Sequence, residues 1–251
     1  MDISIITTTY NRKALLKETI ESVQRSVLAP LNDAAWEHII YDDGSTDGTE
    51  DLFKNSKWEN VVYLRGETNK GQSYGRNEAI RKARGKYIFP VDSDDIILQR
   101  TLYNFIRMTR EYSKTDWFTT DFLHVNNELA YMSGQDYWGW RFSDCGVMLD
   151  AIFQGEHFLQ GNVLFKKDLC LRVGGYDELV AMGEDLDLYT RFLLNNALPQ
   201  HCDFLSHLHR THGKNISGKI TPNIHKVYAK QLQKKYASAQ KNLEPAHPEE
   251  K

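Results

Sequence analysis

Three acidic side chains stand directly behind an apolar segment in the first half of the chain. Asp92, Asp94 and Asp95 follow the sequence KYIFPV at residues 86–91. Carboxylates this close together repel one another, and burial raises the cost of keeping them charged. Their oxygen atoms are the ligands that Mg²⁺ and Mn²⁺ take, often together with phosphate groups. The motif DSDD therefore indicates a cation site, although a helix N-cap flanked by solvated acids explains it equally well when it is taken alone.

Two further acidic motifs suggest other parts of a reaction. The sequence DDGSTDGT places Asp42 and Asp43 behind a second apolar run. A strand-to-helix turn explains its second half, whereas a carboxylate at the strand end could accept hydrogen bonds from a nucleobase or a ribose. The sequence GEDLDLYTRF opens a helix with Glu184 and Asp185. Acids stabilise a helix N-terminus, but a carboxylate at such a junction could also act as a general base towards a hydroxyl group.

One arginine and a group of histidines complete the set of candidate residues. Arg76, in the segment NKGQSYGRN, is predicted to lie in the first turns of a helix. It could contact a diphosphate there or form an ordinary surface salt bridge. The segment HLHRTHGKNISG, residues 207–218, has no cysteine or HExxH pattern nearby, so a dedicated zinc site is not indicated. A single histidine that joins a carboxylate-bound cation fits the pattern better.

Alternating strands and helices must hold these motifs. Apolar, β-rich runs occur at residues 3–7, 37–41, 60–64 and 86–91, with helical patterns between them. This order predicts a mostly parallel sheet flanked by helices. Ligands of such sheets bind beyond the carboxyl ends of the strands. Because TTTYNR, DDGSTD and DSDD each follow a strand, we expect them to meet at one edge of the sheet.

The second half of the chain is less regular. We expect a helix over residues 98–113, a strand at DWFTTDFLHV, a helix from about Glu184 and a basic amphipathic helix over residues 223–243. This last helix has five lysines and no acid. Either it docks on the core with a solvated basic face, or it contacts an anionic membrane surface.

Composition narrows the class of protein. The chain has 251 residues, of which 41% are hydrophobic and 26% are charged, as expected for one sizeable globular domain with or without an appendage. Its net charge of −3 argues against nucleic-acid binding by bulk electrostatics. The three cysteines lack CxxC spacing and indicate reduced thiols. We therefore expect a cytoplasmic protein, with peripheral contact at the inner membrane face left open.

Six segments of the chain, taken in order, resemble the motifs of the family 2 inverting glycosyltransferases, which have the GT-A fold. These segments are ISIITTTYNR, IIYDDGSTDGT, NKGQSYGRNEAIRKARGKYIFPVDSDD, VGGYDE, GEDLDLYTR and HGKNIS. The resemblance covers roughly residues 1–218. It implies an α/β, Rossmann-like domain with a nucleotide-binding half at 1–95 and an acceptor half at 96–218, followed by a basic helix and tail at 219–251.

The resemblance also implies contacts to a sugar donor. The matching positions are Thr8 and Tyr10 for the base, Asp42 for the edge of the base, and Lys70, Gly71 and Arg76 for the diphosphate side. The base is usually uracil in this family, so the implied donor is a UDP-sugar. A nucleotide-sugar or glycan binding module without turnover is the alternative, and such a module would need no general base.

The chemical step implied by the resemblance uses the remaining acidic residues. Asp92 and Asp94 match the DxD motif, with Asp94 the better candidate for direct coordination of Mn²⁺ or Mg²⁺ and Asp92 for a ribose or water-mediated contact. His212 matches a position near the metal and the diphosphate. Asp185 matches the catalytic base, with Glu184 as the alternative. An acceptor hydroxyl loses its proton to this base and attacks the anomeric carbon with inversion of configuration.

The implied acceptor is a saccharide or a lipid-linked saccharide in bacterial surface polysaccharide or lipopolysaccharide synthesis. Aromatic rings can pack on the apolar faces of sugars. Tyr137, Trp138 and Trp140 are therefore candidates for the acceptor site, although each could equally pack in the core.

Overall fold

The computed structural model describes residues 1–54, 57–134, 138–180, 182–213, 215 and 222–240. The helices are α1 (Lys13–Gln24), α2 (Asp51–Lys54), α3 (Gln72–Lys82), α4 (Thr101–Glu111), α5 (Cys145–Gln154), α6 (Lys167–Arg172), α7 (Glu184–Leu194) and α8 (Pro222–Gln240). The strands are β1 (Ile3–Thr9), β2 (Trp36–Asp42), β3 (Val61–Arg65), β4 (Tyr87–Pro90), β5 (Ile96–Ile97), β6 (Trp117–Val125), β7 (Leu164–Lys166) and β8 (Gln200–Arg210). Within this part of the chain the strands form one sheet in the order β3-β2-β1-β4-β7-β6-β8-β5.

The first half of the chain forms a parallel part of the sheet, as the alternation of strands and helices predicted. β1 pairs with β2 on one side and with β4 on the other, and β2 pairs with β3, all in parallel. The register brings Thr9 beside Asp42 and Ile6 beside Pro90. The carboxyl ends of β1, β2 and β4 therefore lie along one edge of the sheet, and the motifs that follow these strands start there.

The second half adds strands of both directions. β7 is antiparallel to β4 and β6, β5 is antiparallel to β8, and β6 and β8 are parallel. Among the described strands, four of the seven pairs are parallel. The predicted α/β class with a mostly parallel sheet and flanking helices is confirmed, and one sheet crosses both predicted halves.

One interpretation of the DSDD motif is wrong. Neither Asp94 nor Asp95 caps a helix, because the next two residues form β5 and pair with β8. The following helix, α4, begins only at Thr101, with Arg100 at its N-cap position. Strand pairing with a segment far along the chain overrides the local helical pattern here.

Apolar side chains pack on both faces of the sheet and fix the helices that carry the candidate site. On one face, Trp117 of β6 stacks on Tyr189 of α7 with ring centroids 5.2 Å apart, and its indole Nε1 donates to Ala197 O at 2.7 Å. On the other face, Phe89 of β4 packs edge-on against Phe105 of α4 with centroids 4.9 Å apart. Full burial of one such side chain contributes about 1.5–3 kcal/mol, so α7 is held firmly against the sheet.

The predicted C-terminal helix is present as α8, and it docks on the core. Ala229 and Leu232 are buried, and Tyr236 packs partly buried against the same apolar cluster as α5 and α7. The outer side of α8 exposes Lys226, Lys230 and Lys234. Residues 241–251, which include the end of the predicted helix, lie outside the described residues. In the part of the chain that the structure describes, no helix is long and apolar enough to span a bilayer.

Candidate active site

Asp95 anchors the acidic turn between β4 and β5 to the rest of the sheet. Its carboxylate is fully buried, and Oδ1 accepts from the backbone N–H of Arg210 at 3.0 Å. Oδ2 accepts from Asn162 Nδ2 at 2.8 Å and lies 3.3 Å from His209 Nδ1. Burial alone would raise the pKa of Asp95, but His209 and the Arg210 amide outweigh burial and lower this pKa to about 2. Asp95 is therefore a charged structural residue.

Asp94 lies in the same turn but in a different environment. Its Oδ2 atom accepts from Arg12 Nη1 at 2.6 Å and lies 2.9 Å from His212 Nε2. Burial raises the pKa of the Asp94 carboxyl, and the neighbouring carboxylates of Asp95 and Asp92 raise it further. The structure thus brings together Asp94 and His212, as the sequence predicted, and places them where added positive charge would relieve repulsion.

Arg76 is a buried link between the two acidic motifs and not a surface salt bridge. Its Nη2 atom donates to Asp92 Oδ1 at 2.8 Å, and its Nη1 atom donates to Glu184 Oε1 at 2.6 Å. The guanidinium also lies over the ring of Tyr176, 5.2 Å from the centroid. Glu184 Oε1 accepts a second hydrogen bond from Gln72 Nε2 at 2.6 Å. Glu184 is therefore tied to α3 through two donors.

Asp185 has no comparable cationic partner. Its Oδ1 atom accepts from the backbone N–H of the next residue, Leu186, at 2.8 Å, and among the described residues it forms no salt bridge. Burial raises the pKa of Asp185, the adjacent Glu184 carboxylate adds to the effect, and the pKa reaches about 7. A carboxylate that titrates near neutral pH is suited to accept a proton from a substrate.

A glycine in the loop between α5 and β7 marks the point where these side chains converge. A Cβ atom on Gly161 would lie 3.7 Å from Arg76 Nη2 and 3.8 Å from both Asp185 Oδ2 and Asp92 Oδ2. The loop is held in place because Tyr189 Oη donates towards the carbonyl oxygens of residues 160 and 161, at 3.0 and 3.2 Å. The structure therefore brings the first DxD aspartate and the predicted base to one small space.

The two carboxylates of the DDGS motif hold the turns at the donor side. Asp42 is fully buried: its Oδ1 accepts from the Ser45 N–H at 2.8 Å and its Oδ2 from Tyr63 Oη at 2.6 Å. Asp43 accepts from the backbone N–H groups of Lys70 and Gly71 at 2.8–3.0 Å. A contact between Asp42 and a base stays a prediction, and it would need the bond to Tyr63 to open.

The other predicted donor residues lie near the same edge. Tyr10 follows β1 and is 45% exposed, so its ring is accessible for stacking. The Thr8 methyl packs on α3 at Gly75, where a Cβ atom would come within 2.8 Å of it. Gly71 adopts a φ of 93°, which glycine tolerates best, and the Lys70 ammonium lies 4.5 Å from the centroid of the Tyr74 ring.

Two of the aromatic residues predicted for the acceptor site are exposed and flank a glycine that is fixed by its contacts. Trp138 and Trp140 are 57% and 46% exposed. Gly139 between them donates its N–H to Asp121 Oδ1 at 2.8 Å and packs against the His201 ring with no room for a Cβ atom. Tyr137 lies outside the described residues. Trp140 also contacts the ring of Phe158 in the loop that leads to Gly161, with centroids 4.9 Å apart.

The remaining histidines of the sequence motif are built into the fold. His207 is buried and stacks on Phe122 with ring centroids 5.2 Å apart. Burial lowers the pKa of His207 to about 4, so it stays neutral. His209 pairs with Asp95, as described above. Among the described residues, no three histidine, cysteine, aspartate or glutamate side chains are placed to hold a metal ion together.

Sequence reasoning missed two residues of this site, Arg12 and Gly161. Arg12 closes the TTTYNR motif, and only the fold shows that it reaches Asp94. Asp43 was singled out by the sequence, but only the fold shows that its backbone partners lie in a distant loop. Gly161 carries no local signal beyond being a glycine before a strand.

Comparison with known proteins identifies the family of the chain. The family model described as glycosyl transferase family 2 matches residues 4–143. This match ends before Gly161 and before the Glu184–Asp185 pair, so it does not by itself cover the predicted base.

Curated relatives share segments of the chain. It is 39% identical over 95 residues to the putative teichuronic acid biosynthesis glycosyltransferase TuaG of Bacillus subtilis, and the aligned segment covers 37% of this chain and 36% of TuaG. It is 25% identical over 200 residues to an uncharacterized glycosyltransferase of Methanocaldococcus jannaschii, covering 77% of this chain and 65% of the relative. It is 36% identical over 93 residues to the Escherichia coli UDP-Glc:alpha-D-GlcNAc-diphosphoundecaprenol beta-1,3-glucosyltransferase WfaP, covering 37% and 35%. The matches thus span about a third to two thirds of these relatives.

Solved structures share the fold over almost the whole chain. The crystal structure of S. aureus TarS 1–349 in complex with UDP-GlcNAc superposes with a TM-score of 0.76 at 20% identity, covering 98% of this chain and 68% of that one. The same TarS fragment in complex with UDP gives a TM-score of 0.69 at 19% identity, covering 96% and 74%. At this level of identity the likeness shows the fold, and it agrees with the GT-A class implied by the motifs.

Proposed function

Because the chain belongs to glycosyl transferase family 2, we propose that it transfers a sugar from a nucleotide-sugar to a hydroxyl group of a saccharide acceptor, with inversion at the anomeric carbon. The observation that carries this proposal is the convergence of Arg76, Asp92 and Asp185 around Gly161. Arg76 and Asp92 come from the predicted nucleotide-binding half, and Asp185 comes from α7, which we call the catalytic helix. A transferase needs its donor and its base to meet at one point.

The donor that we propose is a UDP-sugar. TarS was solved with UDP-GlcNAc and with UDP, and the name of WfaP specifies UDP-Glc. In this chain the exposed Tyr10 ring at the end of β1 would stack on the base, with Thr8 beside it, while Asp42 would face the edge of the base if its bond to Tyr63 opens. The loop at Lys70 and Gly71 would lie beside the diphosphate.

A divalent cation fits the donor set around Asp94. A carboxylate oxygen and an imidazole nitrogen, Asp94 Oδ2 and His212 Nε2, lie 2.9 Å apart near the carboxylates of Asp92 and Asp95. Arg12 also donates to Asp94 Oδ2 and would have to shift for an ion to bind this atom. Mn²⁺ or Mg²⁺ accepts such ligands and takes its remaining ligands from phosphate and water. Asp92 would serve a water-mediated or ribose contact. When bound, the ion would offset negative charge on the diphosphate leaving group.

The chain itself supplies the base and part of the leaving-group stabilisation. Asp185 would take the proton of the acceptor hydroxyl on Oδ2, the acceptor oxygen would bond to the anomeric carbon, and the bond from that carbon to the diphosphate oxygen would break with its electron pair. Glu184 is less suited to the role of base because Arg76 and Gln72 both donate to it. Arg76, beside Asp92, would face the departing charge.

The acceptor that we propose is a saccharide, free or lipid-linked, in bacterial surface polysaccharide synthesis. The names of TuaG and WfaP support this class. The exposed rings of Trp138 and Trp140 offer apolar surfaces on which a sugar ring could pack, close to the loop that carries Gly161. The exposed lysines of α8 would suit an approach to an anionic membrane surface on the cytoplasmic side.

The test is release of free UDP from a panel of UDP-sugars in the presence of Mn²⁺. We expect release with at least one donor, an increase when a saccharide acceptor is added, and loss of release with EDTA. Binding of UDP-sugars with no release under any of these conditions would instead support a binding module without turnover.

A further inference from the structure

Asp187 is a fully buried carboxylate on α7, two residues after the proposed base. Its Oδ2 atom accepts from Arg191 Nε at 2.9 Å and lies 2.8 Å from Arg191 Nη2. Its Oδ1 atom accepts from Lys235 Nζ at 2.6 Å and from Tyr236 Oη at 2.8 Å. Both of the latter donors belong to α8, so the C-terminal helix reaches into the first turn of the catalytic helix.

These contacts are strong constraints because the charge they hold is out of water. A buried carboxylate is stable only when opposite charges and hydrogen bonds compensate for its lost hydration. Here Arg191 supplies one cation from within α7, and Lys235 supplies the other from α8. Lys235 also donates to Asp177 at 2.7 Å, which ties α8 to the loop that precedes α7.

Arg191 extends the same network to the donor half. Its Nη1 atom donates to the carbonyl oxygens of Val173 and Gly175, at 2.7 and 2.6 Å. At the next residue of that loop, the backbone N–H of Tyr176 donates to Asn77 Oδ1 on α3 at 2.8 Å, and Asn77 Nδ2 donates to the Tyr176 carbonyl oxygen at 2.9 Å. Asn77 follows Arg76 in the sequence, so the network runs behind the site from α8 to α3.

We propose that α8 is a positioning element for Asp185, and that Lys235 and Tyr236 act through Asp187. An α-helix rises about 1.5 Å per residue, so fixing Asp187 fixes the rotation and depth of the turn that carries Asp185. The side chain of Asp185 bonds to its own helix, at Leu186, and its direction is therefore set by the helix. This inference rests on the proposed function of Asp185 as the base.

A purely structural role for α8 makes a different prediction. If Lys235 and Tyr236 only dock the helix, their loss should lower the thermal midpoint and leave kcat and its pH dependence unchanged. If they position Asp185, their loss should lower kcat and alter the acidic limb of the pH profile. This limb reports the protonation of Asp185, which depends on the neighbouring charges of Glu184, Arg76 and Asp92. The KM for the donor should stay constant in that case, because donor contacts lie on other elements.

The experiment compares Lys235→Met and Tyr236→Phe with Lys234→Met, which removes an exposed lysine from the neighbouring position on α8. UDP release is measured with the UDP-sugar and Mn²⁺ that serve the unmodified protein. We expect kcat to fall by about 10- to 100-fold in Lys235→Met, with donor KM within about twofold, a smaller fall in Tyr236→Phe and none in Lys234→Met. Partial rescue by Lys235→Arg would support the role of the cation.

A second measurement does not depend on turnover. Hydrogen–deuterium exchange of the amides at 183–188 should be faster in Lys235→Met than in Lys234→Met, since the first turn of α7 loses one of its two hydrogen bonds to α8. Unchanged exchange there together with unchanged kcat would overturn the proposal. The variant Asp185→Asn, measured by UDP release, separates the proposed base from the proposed positioning by α8. Full activity of Asp185→Asn would refute the assignment of the base. Faster exchange in Lys235→Met would still show that α8 holds the first turn of α7.

Discussion

The turn after β4 and the first turn of α7 each carry two adjacent carboxylates, Asp94–Asp95 and Glu184–Asp185. In each pair one member is neutralised by the fold: His209 and the Arg210 amide hold Asp95, and Arg76 with Gln72 holds Glu184. The other member carries a raised pKa, mainly because it is buried and has a like charge beside it.

The difference between the two regions lies in what surrounds the member with the raised pKa. Asp94 accepts from Arg12 and lies 2.9 Å from His212, and the cation that we propose would bind beside these partners. Among the described residues, Asp185 accepts a hydrogen bond from its own helix, forms no salt bridge and faces the space beside Gly161, which suits the proton acceptor that we propose. Adjacent residues of the same chemical type thus differ in charge and protonation because their partners differ, and on this difference we base the separate roles that we propose for them.

The largest effect should come from removing the proposed base. Asp185→Asn keeps the shape of the side chain and loses proton acceptance, so transfer should fall by about 10²- to 10⁴-fold. Binding of UDP with Mn²⁺, measured by calorimetry, should stay within about twofold because the donor contacts are intact. Normal transfer in this variant would assign the base to another residue and remove the contrast between the two regions.

Removing the proposed metal ligand should have the next largest effect. Asp94→Ala should lower UDP release by about 10²-fold and abolish its dependence on Mn²⁺ in a titration. Asp203→Ala, which removes an exposed acid on β8, is the matched control and should leave the Mn²⁺ titration unchanged. A wild-type response of Asp94→Ala to Mn²⁺ would contradict the assignment.

Changing Glu184, the neighbour of the proposed base, should affect the pH profile more than the rate. The Glu184 carboxylate helps to raise the pKa of Asp185 to about 7. In Glu184→Gln this like charge is gone, so the acidic limb of the profile should move to lower pH, and the maximal rate should fall by only about tenfold. An acidic limb at the wild-type position would show that Glu184 does not set the protonation of its neighbour.

The smallest effect concerns stability. The folded pKa of Asp185, about 7, is higher than the value of about 3.9 in an unfolded chain. The folded state therefore binds the extra proton, and this group makes the protein less stable as pH rises from about 4 to 7. Asp185→Asn should have a higher thermal midpoint than the wild type at pH 8, by about 2–4 °C for each kcal/mol of this lost penalty, and the difference should be clearly smaller at pH 5.

The paired acid gives the opposite sign and serves as the comparison. Glu184→Gln breaks a buried ion pair with Arg76, so it should lower the midpoint at both pH values. Both comparisons use scanning fluorimetry under identical buffers. If Asp185→Asn were less stable than the wild type at pH 8, the raised pKa of Asp185 would be wrong.

Local patterns in the sequence predicted several elements of the fold well. The runs at β1, β2 and β4 and the start of α7 at Glu184 follow from apolar periodicity and from turn residues, which are properties of neighbouring positions. The same local reasoning failed at the residues after Asp95, because β5 forms only by pairing with β8. It also left open whether Arg76 lies on the surface, since its two partners lie on other elements.

The sequence by itself determined the family and the α/β class and supplied the acidic residues of the candidate site as predictions, because these depend on motif order and on periodicity along the chain. Only the tertiary structure decided which carboxylate of each pair is neutralised, that Arg12 and Gly161 belong to the site, and that α8 holds Asp187. Burial and pairing are produced by contacts between distant segments, and the same carboxylate behaves as a structural ion, a metal ligand or a base according to those contacts.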